Sequence, residues 1–254
     1  MTKLDRILEI LCAERGEDVP TLSETEKGRY FRALVNVRMP KPASAEFIKL
    51  QDEYLQDRLR AVGVTDIADL PPTDIPDIYL WQGDITTLKC DGIVNAANSQ
   101  MLGCFHPNHG CIDNAIHTFA GVQLRFECAS VMEAQGEPER TGGAKITRGY
   151  NLPCKYVLHT VGPIVYGGLT ARHEEQLASC YRSCLELADG NGLTSIAFCC
   201  ISTGEFMFPN ARAAEIAVAT VREYKQKTDS DIKVIFNVFK DKDYGIYARL
   251  LGAN

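Results

Sequence analysis

Two cysteines and two histidines fall within one eight-residue stretch, Cys104-Phe105-His106-Pro107-Asn108-His109-Gly110-Cys111. Cys104, His109 and Cys111 together offer two thiolates and an imidazole, a donor set suited to Zn²⁺. Gly103, Pro107 and Gly110 let so short a segment fold back until three ligands face one centre. No further Cys or His pair lies nearby to close a four-ligand structural site. Three protein ligands and an open position is the pattern of a catalytic zinc. His106 competes with His109 for the imidazole place, although the one-residue gap from His109 to Cys111 suits a tight chelate. The plainer alternative makes both thiols small buried hydrophobes and both imidazoles solvated loop residues. The density and spacing of the donors weigh against it.

Several segments around this loop carry residues fit for binding. Gly83-Asp84-Ile85-Thr86 follows one apolar run and Val94-Asn95-Ala96-Ala97-Asn98 closes another, and strand ends are where α/β proteins place ligand contacts. The Asp84 carboxylate can accept a hydrogen bond from a ligand amine, or it can serve as a turn or cap residue. Asn98 offers a donor and an acceptor to sugar hydroxyls. Asp113 sits near the start of a helix beginning at Ile112, where an aspartate in isolation is a cap or dipole partner. Further on, Ser202-Thr203-Gly204-Glu205-Phe206-Met207-Phe208-Pro209 joins a buried strand to a helix. Its glycine lets backbone N–H groups approach a phosphate, and the helix after Pro209 adds its N-terminal dipole. Together these segments describe a metal-bearing nucleotide site.

Gly83-Asp84-Ile85-Thr86, Val94-Asn95-Ala96-Ala97-Asn98 and Ile112-Asp113-Asn114-Ala115-Ile116-His117 resemble the ADP-ribose-binding motifs of macrodomains. Hydrolytic macrodomains ordinarily carry a run of glycines before the Asp113 position. Here the segment from Gly103 to Cys111 replaces it, which resembles the zinc-containing macrodomains that act as protein-ADP-ribose hydrolases. The resemblance spans about residues 77–254. It implies a macrodomain three-layer α/β/α sandwich with a mixed central sheet, preceded by an N-terminal helical extension. It further implies that Asp84 binds the adenine amine with the Ile85 backbone beside it, and Phe239 is a candidate to stack on the base. Asn98 then faces the distal ribose. Cys111, Ile112, Asp113, Ser202, Thr203, Gly204 and Glu205 line the path of the diphosphate, and Phe206 packs on the distal ribose. Zn²⁺ on Cys104, His109 and Cys111 would act at the ribose or the linkage oxygen, Asp113 would orient or deprotonate the water, and Asn98 would hold the sugar. The implied reaction removes mono-ADP-ribose from a modified protein side chain. Two rivals use the same pocket: a non-catalytic ADP-ribose reader with a structural zinc, and an O-acetyl-ADP-ribose deacetylase. The resemblance also suggests a sirtuin-like ADP-ribosyltransferase and a lipoylated carrier protein as partners. The Pro-Cys-x-x-Cys element that zinc deaminases pair with His-x-Glu is missing, as is the His-Glu-x-x-His of metalloproteases.

The elements that must position these residues are readable from pattern. The chain has 254 residues, 45% of them hydrophobic and 24% charged, which suits a globular protein with a sizeable core. A net charge of −6 argues against salt-driven binding to nucleic acid or to an anionic membrane. An anionic ligand must then be held by backbone N–H groups and local dipoles. The sequence has no twenty-residue apolar span and no signal-peptide core at its start, and ten cysteines without a regular framework suggest reduced thiols. The expected location is cytoplasmic.

Residues 1–70 read as a helical extension. Leu4, Ile7, Leu8 and Leu11 form an amphipathic face, Ser23 with Glu26 a capping box, and Ser44 a cap for a helix whose Ile48, Leu55, Leu59 and Val62 share one side. Nothing in these helices suggests chemistry. The run from Pro71 to Pro76 is a turn-rich junction, and the resemblance makes residues 77–254 the macrodomain. Within them, strands are expected at 78–81, 92–96, 144–150, 156–160, 195–200 and 234–238. Helices are expected at 112–119, 123–134, 174–188, 211–225 and 243–251, with Cys180, Cys184, Cys199 and Cys200 as core residues and His159 as a satisfied buried histidine.

Overall fold

In the computed structural model, which describes residues 2–253, three helices come first: α1 (Lys3–Ala13), α2 (Glu24–Val37) and α3 (Ala45–Val62). Each begins at a side-chain cap. Asp5 accepts from the Thr2 N–H while Thr2 accepts from Asp5, Glu26 accepts from the Ser23 N–H, and the Ser44 hydroxyl accepts from the Phe47 N–H. Their apolar faces meet in a small core of Ile7, Leu8, Leu11, Phe31, Leu34, Val35, Phe47 and Leu55, joined by Val122 from the rest of the chain. The face expected for α3 is turned: Phe47, Gln51 and Leu55 lie inside, while Val62 is 55% exposed. These three are spaced i, i+4, i+8, and Val62 falls past the last contact, one residue before Gly63 ends the helix.

The strands are β1 (Thr65–Asp66), β2 (Ile78–Gln82), β3 (Leu88–Lys89), β4 (Gly92–Ala97), β5 (Ala144–Arg148), β6 (Tyr156–Val161), β7 (Ser195–Phe198) and β8 (Lys233–Val238). β1 and β3 form a two-residue parallel pair, and the other six make one sheet in the order β2-β8-β7-β4-β6-β5. Every pairing in that sheet is parallel except β5 with β6, so the sheet is mixed, as expected. The central strands are buried along almost their whole length, which is how a sheet reads when helices cover both faces. The helices that follow are α4 (Ile112–Ala120), α5 (Val122–Gln135), α6 (Ala171–Gly190), α7 (Asn210–Thr228) and α8 (Asp241–Leu251). The result is a three-layer α/β/α sandwich whose single large core includes Ile93, Val94, Leu158, Cys180, Cys184, Ile196 and Cys199. Strand β5 is shorter than expected because Tyr150 turns to φ +52°, and β7 ends at Phe198.

The topology gathers the binding segments. β4 pairs with β7 (Ile93 opposite Ala197), so the loops that follow these two strands emerge side by side. At the other end of the row, Gln82 of β2 pairs with Val238 of β8, which places Asp84 and Phe239 together. Three strand spacings separate β2 from β4, about 14 Å of crest.

Candidate active site

The loop after β4 brings Cys104, His109 and Cys111 together, with their ligand atoms all within 4.8 Å of one another. The Cys104 sulfur lies 3.7 Å from His109 Nδ1, and the other ring nitrogen, Nε2, faces the Glu205 carboxylate at 3.7 Å. One ring nitrogen thus lies toward the thiols, and the other toward an exposed carboxylate beyond hydrogen-bond distance. His106 lies outside this group, its Nδ1 against the Pro107 carbonyl. Gly103 takes φ +80°, and any Cβ there would strike the His117 ring at 2.7 Å, so the turn into the loop requires glycine. Cys111 is the N-cap of α4, its sulfur accepting from the Asn114 N–H at 3.4 Å. Burial and the neighbouring Cys104 push its thiol pKa up, so a thiolate here needs a cation to displace the proton. Two half-buried thiols and one oriented imidazole fit Zn²⁺.

Asp113 stands in the first turn of α4 and is buried. Its Oδ1 accepts from Asn95 Nδ2 at 2.8 Å. The same amide donates to His159 Nδ1 at 3.1 Å, and His159 Nε2 meets the Thr147 hydroxyl at 2.9 Å. With the Asn95 amide as donor, His159 is the neutral Nε2–H tautomer. Burial raises the Asp113 pKa to about 6, against the opposing effects of the Asn95 hydrogen bond and the Arg125 charge. Burial also lowers the pKa of His159 to about 4 and that of His117 well below its ordinary value, so both rings are neutral. His117 Nε2 lies 3.5 Å from Asp113 Oδ1. His117, Cys128 and His159 also lie within ligand distance of one another, yet both His159 nitrogens are engaged by Asn95 and Thr147. His159 thus belongs to the hydrogen-bonded support beneath Asp113, whereas both ring nitrogens of the buried His117 are without a hydrogen-bond partner among the described residues.

The other expected residues take these places. Asn98 braces its own loop, donating to the Gly103 carbonyl at 3.2 Å and accepting from the Gln100 N–H at 3.0 Å; one amide hydrogen and one lone pair remain. Asp84 uses Oδ1 to cap the Thr86 N–H and hydroxyl, while Oδ2 faces Arg58 at 3.9 Å. Both readings of this residue, turn cap and acceptor, are therefore compatible in one side chain. Phe239 is 75% exposed at the end of β8. In the loop after β7, Ser202 is buried at φ +64°, against Gly162, where a Cβ would clash with the Ser202 hydroxyl. Thr203 turns its hydroxyl to the Cys200 carbonyl at 3.0 Å, and the Phe206 carbonyl accepts from the Val165 N–H at 2.9 Å. The N–H groups of Gly204, Glu205 and Phe206 have no acceptor among the described residues, and neither have those of Ile85, Ile112 and Asp113. Free backbone donors on two adjacent loops, one at a helix N-terminus, are groups able to hold an anion.

Sequence reasoning missed four contributors. Asn95 was read only as part of a motif, although it holds Asp113. Arg32, Asn36 and Arg58 come from helices in which no chemistry was expected. Arg32 donates to the His109 carbonyl, Asn36 accepts from the Asn108 N–H, and Arg58 lies between Asp84 and the Phe119 ring. The one available signal was Asn36 beside Val35 on an otherwise apolar face of α2.

A mixed six-stranded sheet covered by helices on both faces, with free amides and a buried carboxylate at its crest, defines an α/β/α sandwich, and the Macro domain family model matches residues 94–217. A protein-ADP-ribose hydrolase of Treponema medium is 54% identical over 261 residues, covering 99% of this chain and 100% of the relative. A protein-ADP-ribose hydrolase of Staphylococcus aureus is 55% identical over 249 residues, covering 96% of this chain and 93% of the relative. Among solved structures, a Trypanosoma brucei macrodomain in complex with ADP-ribose is similar, with a TM-score of 0.65 and 31% identity, covering 99% of this chain and 96% of that one. The chain belongs to the macrodomain family.

Proposed function

We propose that the protein is a hydrolase that releases mono-ADP-ribose from modified protein side chains, with Zn²⁺ at Cys104, His109 and Cys111. The observation that carries this reading is the buried Asp113 carboxylate, two residues from the thiol–imidazole cluster and at the start of a helix with free N–H groups. The curated relatives that match over nearly their whole length bear the name of this activity.

ADP-ribose spans the crest from Asp84 to Asn98. Asp84 Oδ2 accepts from the adenine amine, the Ile85 N–H donates to the ring, and Phe239 covers the base. The amides of Ile112, Asp113, Gly204, Glu205 and Phe206 hold the diphosphate. Cys111 and Ile112 form one wall of that path, Ser202 and Thr203 the base of the other, and the Phe206 ring packs on the distal ribose. The free hydrogen and lone pair of the Asn98 amide hold a ribose hydroxyl. Asp113, its pKa raised to about 6, is ionised at neutral pH yet basic enough to orient a water and take its proton. Zinc, when bound, supplies Lewis acidity toward a ribose or linkage oxygen. The substrate is then a mono-ADP-ribosylated protein; the transferase and lipoylated-carrier partners rest on the family resemblance. No helix among the described residues is long and apolar enough to cross a membrane, and the ten cysteines are free, which supports a cytoplasmic setting. Residues 1–70 are taken as the extension, 71–76 as the junction and 77–254 as the macrodomain.

The test is release of ADP-ribose from a mono-ADP-ribosylated protein, with O-acetyl-ADP-ribose run beside it. Asp113→Ala is expected to lower turnover by about 10²–10⁴-fold while ADP-ribose still binds. A wild-type protein that binds ADP-ribose and releases none from any protein substrate would make this a reader instead.

A further inference from the structure

Helix α2 touches the metal loop at two points one helical turn apart. Asn36 Oδ1 accepts from the Asn108 N–H at 2.9 Å, and Arg32 Nη2 donates to the His109 carbonyl at 2.9 Å. These two bonds hold both ends of the backbone segment that carries the His109 imidazole. Asn108 itself stands at φ +56°, a left-handed conformation that persists in a non-glycine residue where surrounding contacts fix it.

The two side chains are anchored in turn. Arg32 also donates from Nε and Nη2 to Asn114 Oδ1, at 3.0 and 2.8 Å, and Asn114 Nδ2 donates to the His106 carbonyl at 3.0 Å. Asn36, 1% exposed, sends its Nδ2 to the Thr118 hydroxyl at 2.9 Å. The last carbonyls of α2 are gripped from the other side: Arg125 Nη1 donates to Val35, Asn36 and Arg38 at 3.0, 2.8 and 2.7 Å. The Arg125 guanidinium lies 4.3 Å over the Phe105 ring, which is the residue next to Cys104. The end of α2, the first turns of α4 and the loop are thus one hydrogen-bonded body.

We infer that α2 is part of the metal site: Arg32 and Asn36 are positioning residues that fix the His109 backbone and so aim its imidazole at Cys104 and Cys111. The inference rests on the zinc reading above and gives the N-terminal helices a task beyond packing. A loop of eight residues that contains a glycine and a left-handed asparagine would otherwise sample many directions for its histidine. Fixing it in advance removes that ordering cost from metal binding, as outer-shell partners of metal ligands do. Simple packing of the extension predicts something else: substitutions would change the stability of the whole fold and leave the zinc affinity of folded protein alone.

The experiment measures Zn²⁺ affinity by competition with a chromophoric chelator on the full chain. It compares wild type, Arg32→Met, Arg32→Lys, Asn36→Ala and Cys104→Ala, with circular dichroism of the zinc-free proteins as the check on folding. Arg32→Met and Asn36→Ala are expected to weaken zinc by about tenfold or more while the folded spectrum is kept, and Arg32→Lys, which retains a donor, to fall between. Should Asn36→Ala fail to fold, the half-exposed Arg32 decides the matter alone. Zinc affinity within about twofold of wild type in Arg32→Met, with Cys104→Ala losing the metal, would overturn the clamp and leave the zinc reading standing. A wild-type protein that takes up no zinc would overturn both.

Discussion

Strand β4 buries Ile93 and Val94 completely among other aliphatic side chains of the sheet, whereas the seam between the sandwich and the N-terminal helices buries Gln51 just as completely among polar partners. At that seam Gln51 Oε1 accepts from the Val122 N–H at 3.0 Å and Nε2 donates to Gln123 at 2.8 Å. Asp52 accepts from Gln123 and Asn151, at 2.9 and 2.7 Å, and Gln56 donates to the Asn151 carbonyl at 2.9 Å. Asn36 and Arg125 continue the same pattern toward the loop between β4 and α4. Apolar burial is strong and indifferent to direction, so it drives the sandwich to form. Hydrogen bonds between buried groups contribute less net energy but are directional, and each partner is costly to leave unpaired. The comparison teaches that one surface makes the fold while the other sets where a loop must stand.

The largest effect should come from the aliphatic side. Ile93→Ala, in the fully buried part of β4, is expected to lower unfolding free energy by about 2–5 kcal/mol in denaturant titration. A loss below about 1 kcal/mol would mean that the sheet does not dominate stability.

Asp113 gives a prediction of opposite sign. Its pKa rises from 3.8 to about 6 on folding, so the folded protein favours the protonated acid. The cost of holding it ionised is absent below the unfolded value, grows as pH rises, and is complete above about 6. The neutral isostere Asp113→Asn should therefore be more stable than wild type at pH 7, by on the order of 3 kcal/mol in zinc-free protein, with the gap closing by pH 4. An equal gap at both values would show that the carboxylate is not strained by burial.

The seam is probed by Gln51→Leu, which leaves the buried Val122 N–H without an acceptor. The expected loss is about 1–3 kcal/mol despite the gain of an apolar side chain. A neutral or stabilising result would erase the contrast between the two regions. At the small end, Val62→Ala should change stability by no more than about 0.5 kcal/mol, because that side chain lies in solvent.

The same contrast decides what the sequence discloses. Runs such as 92–96, 156–160 and 234–238 have one structure open to them, since residues apolar on both faces must be covered on both faces; all three are strands. Caps are equally local, and Ser23 and Ser44 each stand at a helix start. The clustering of Cys104, His109 and Cys111 is legible because they lie within eight residues and a tight loop brings them together. Asn36 and Asn108 are 72 residues apart and Arg32 and His109 are 77, and polar side chains carry no periodic mark of such partners. Asn95 escaped for another reason. A buried asparagine in an apolar strand looks the same from the sequence whether it holds a carboxylate or merely its own backbone. Val62 failed because an apolar residue at the right phase near a helix end still needs something to pack against.

The proposed chemistry requires an ion in the loop between β4 and α4. Elemental analysis of the purified full chain tests this most directly: about one zinc per chain is expected in wild type, and close to none in Cys104→Ala. A wild-type protein free of zinc that remains so after incubation with the metal, or a Cys104→Ala variant that carries as much as wild type, would contradict it.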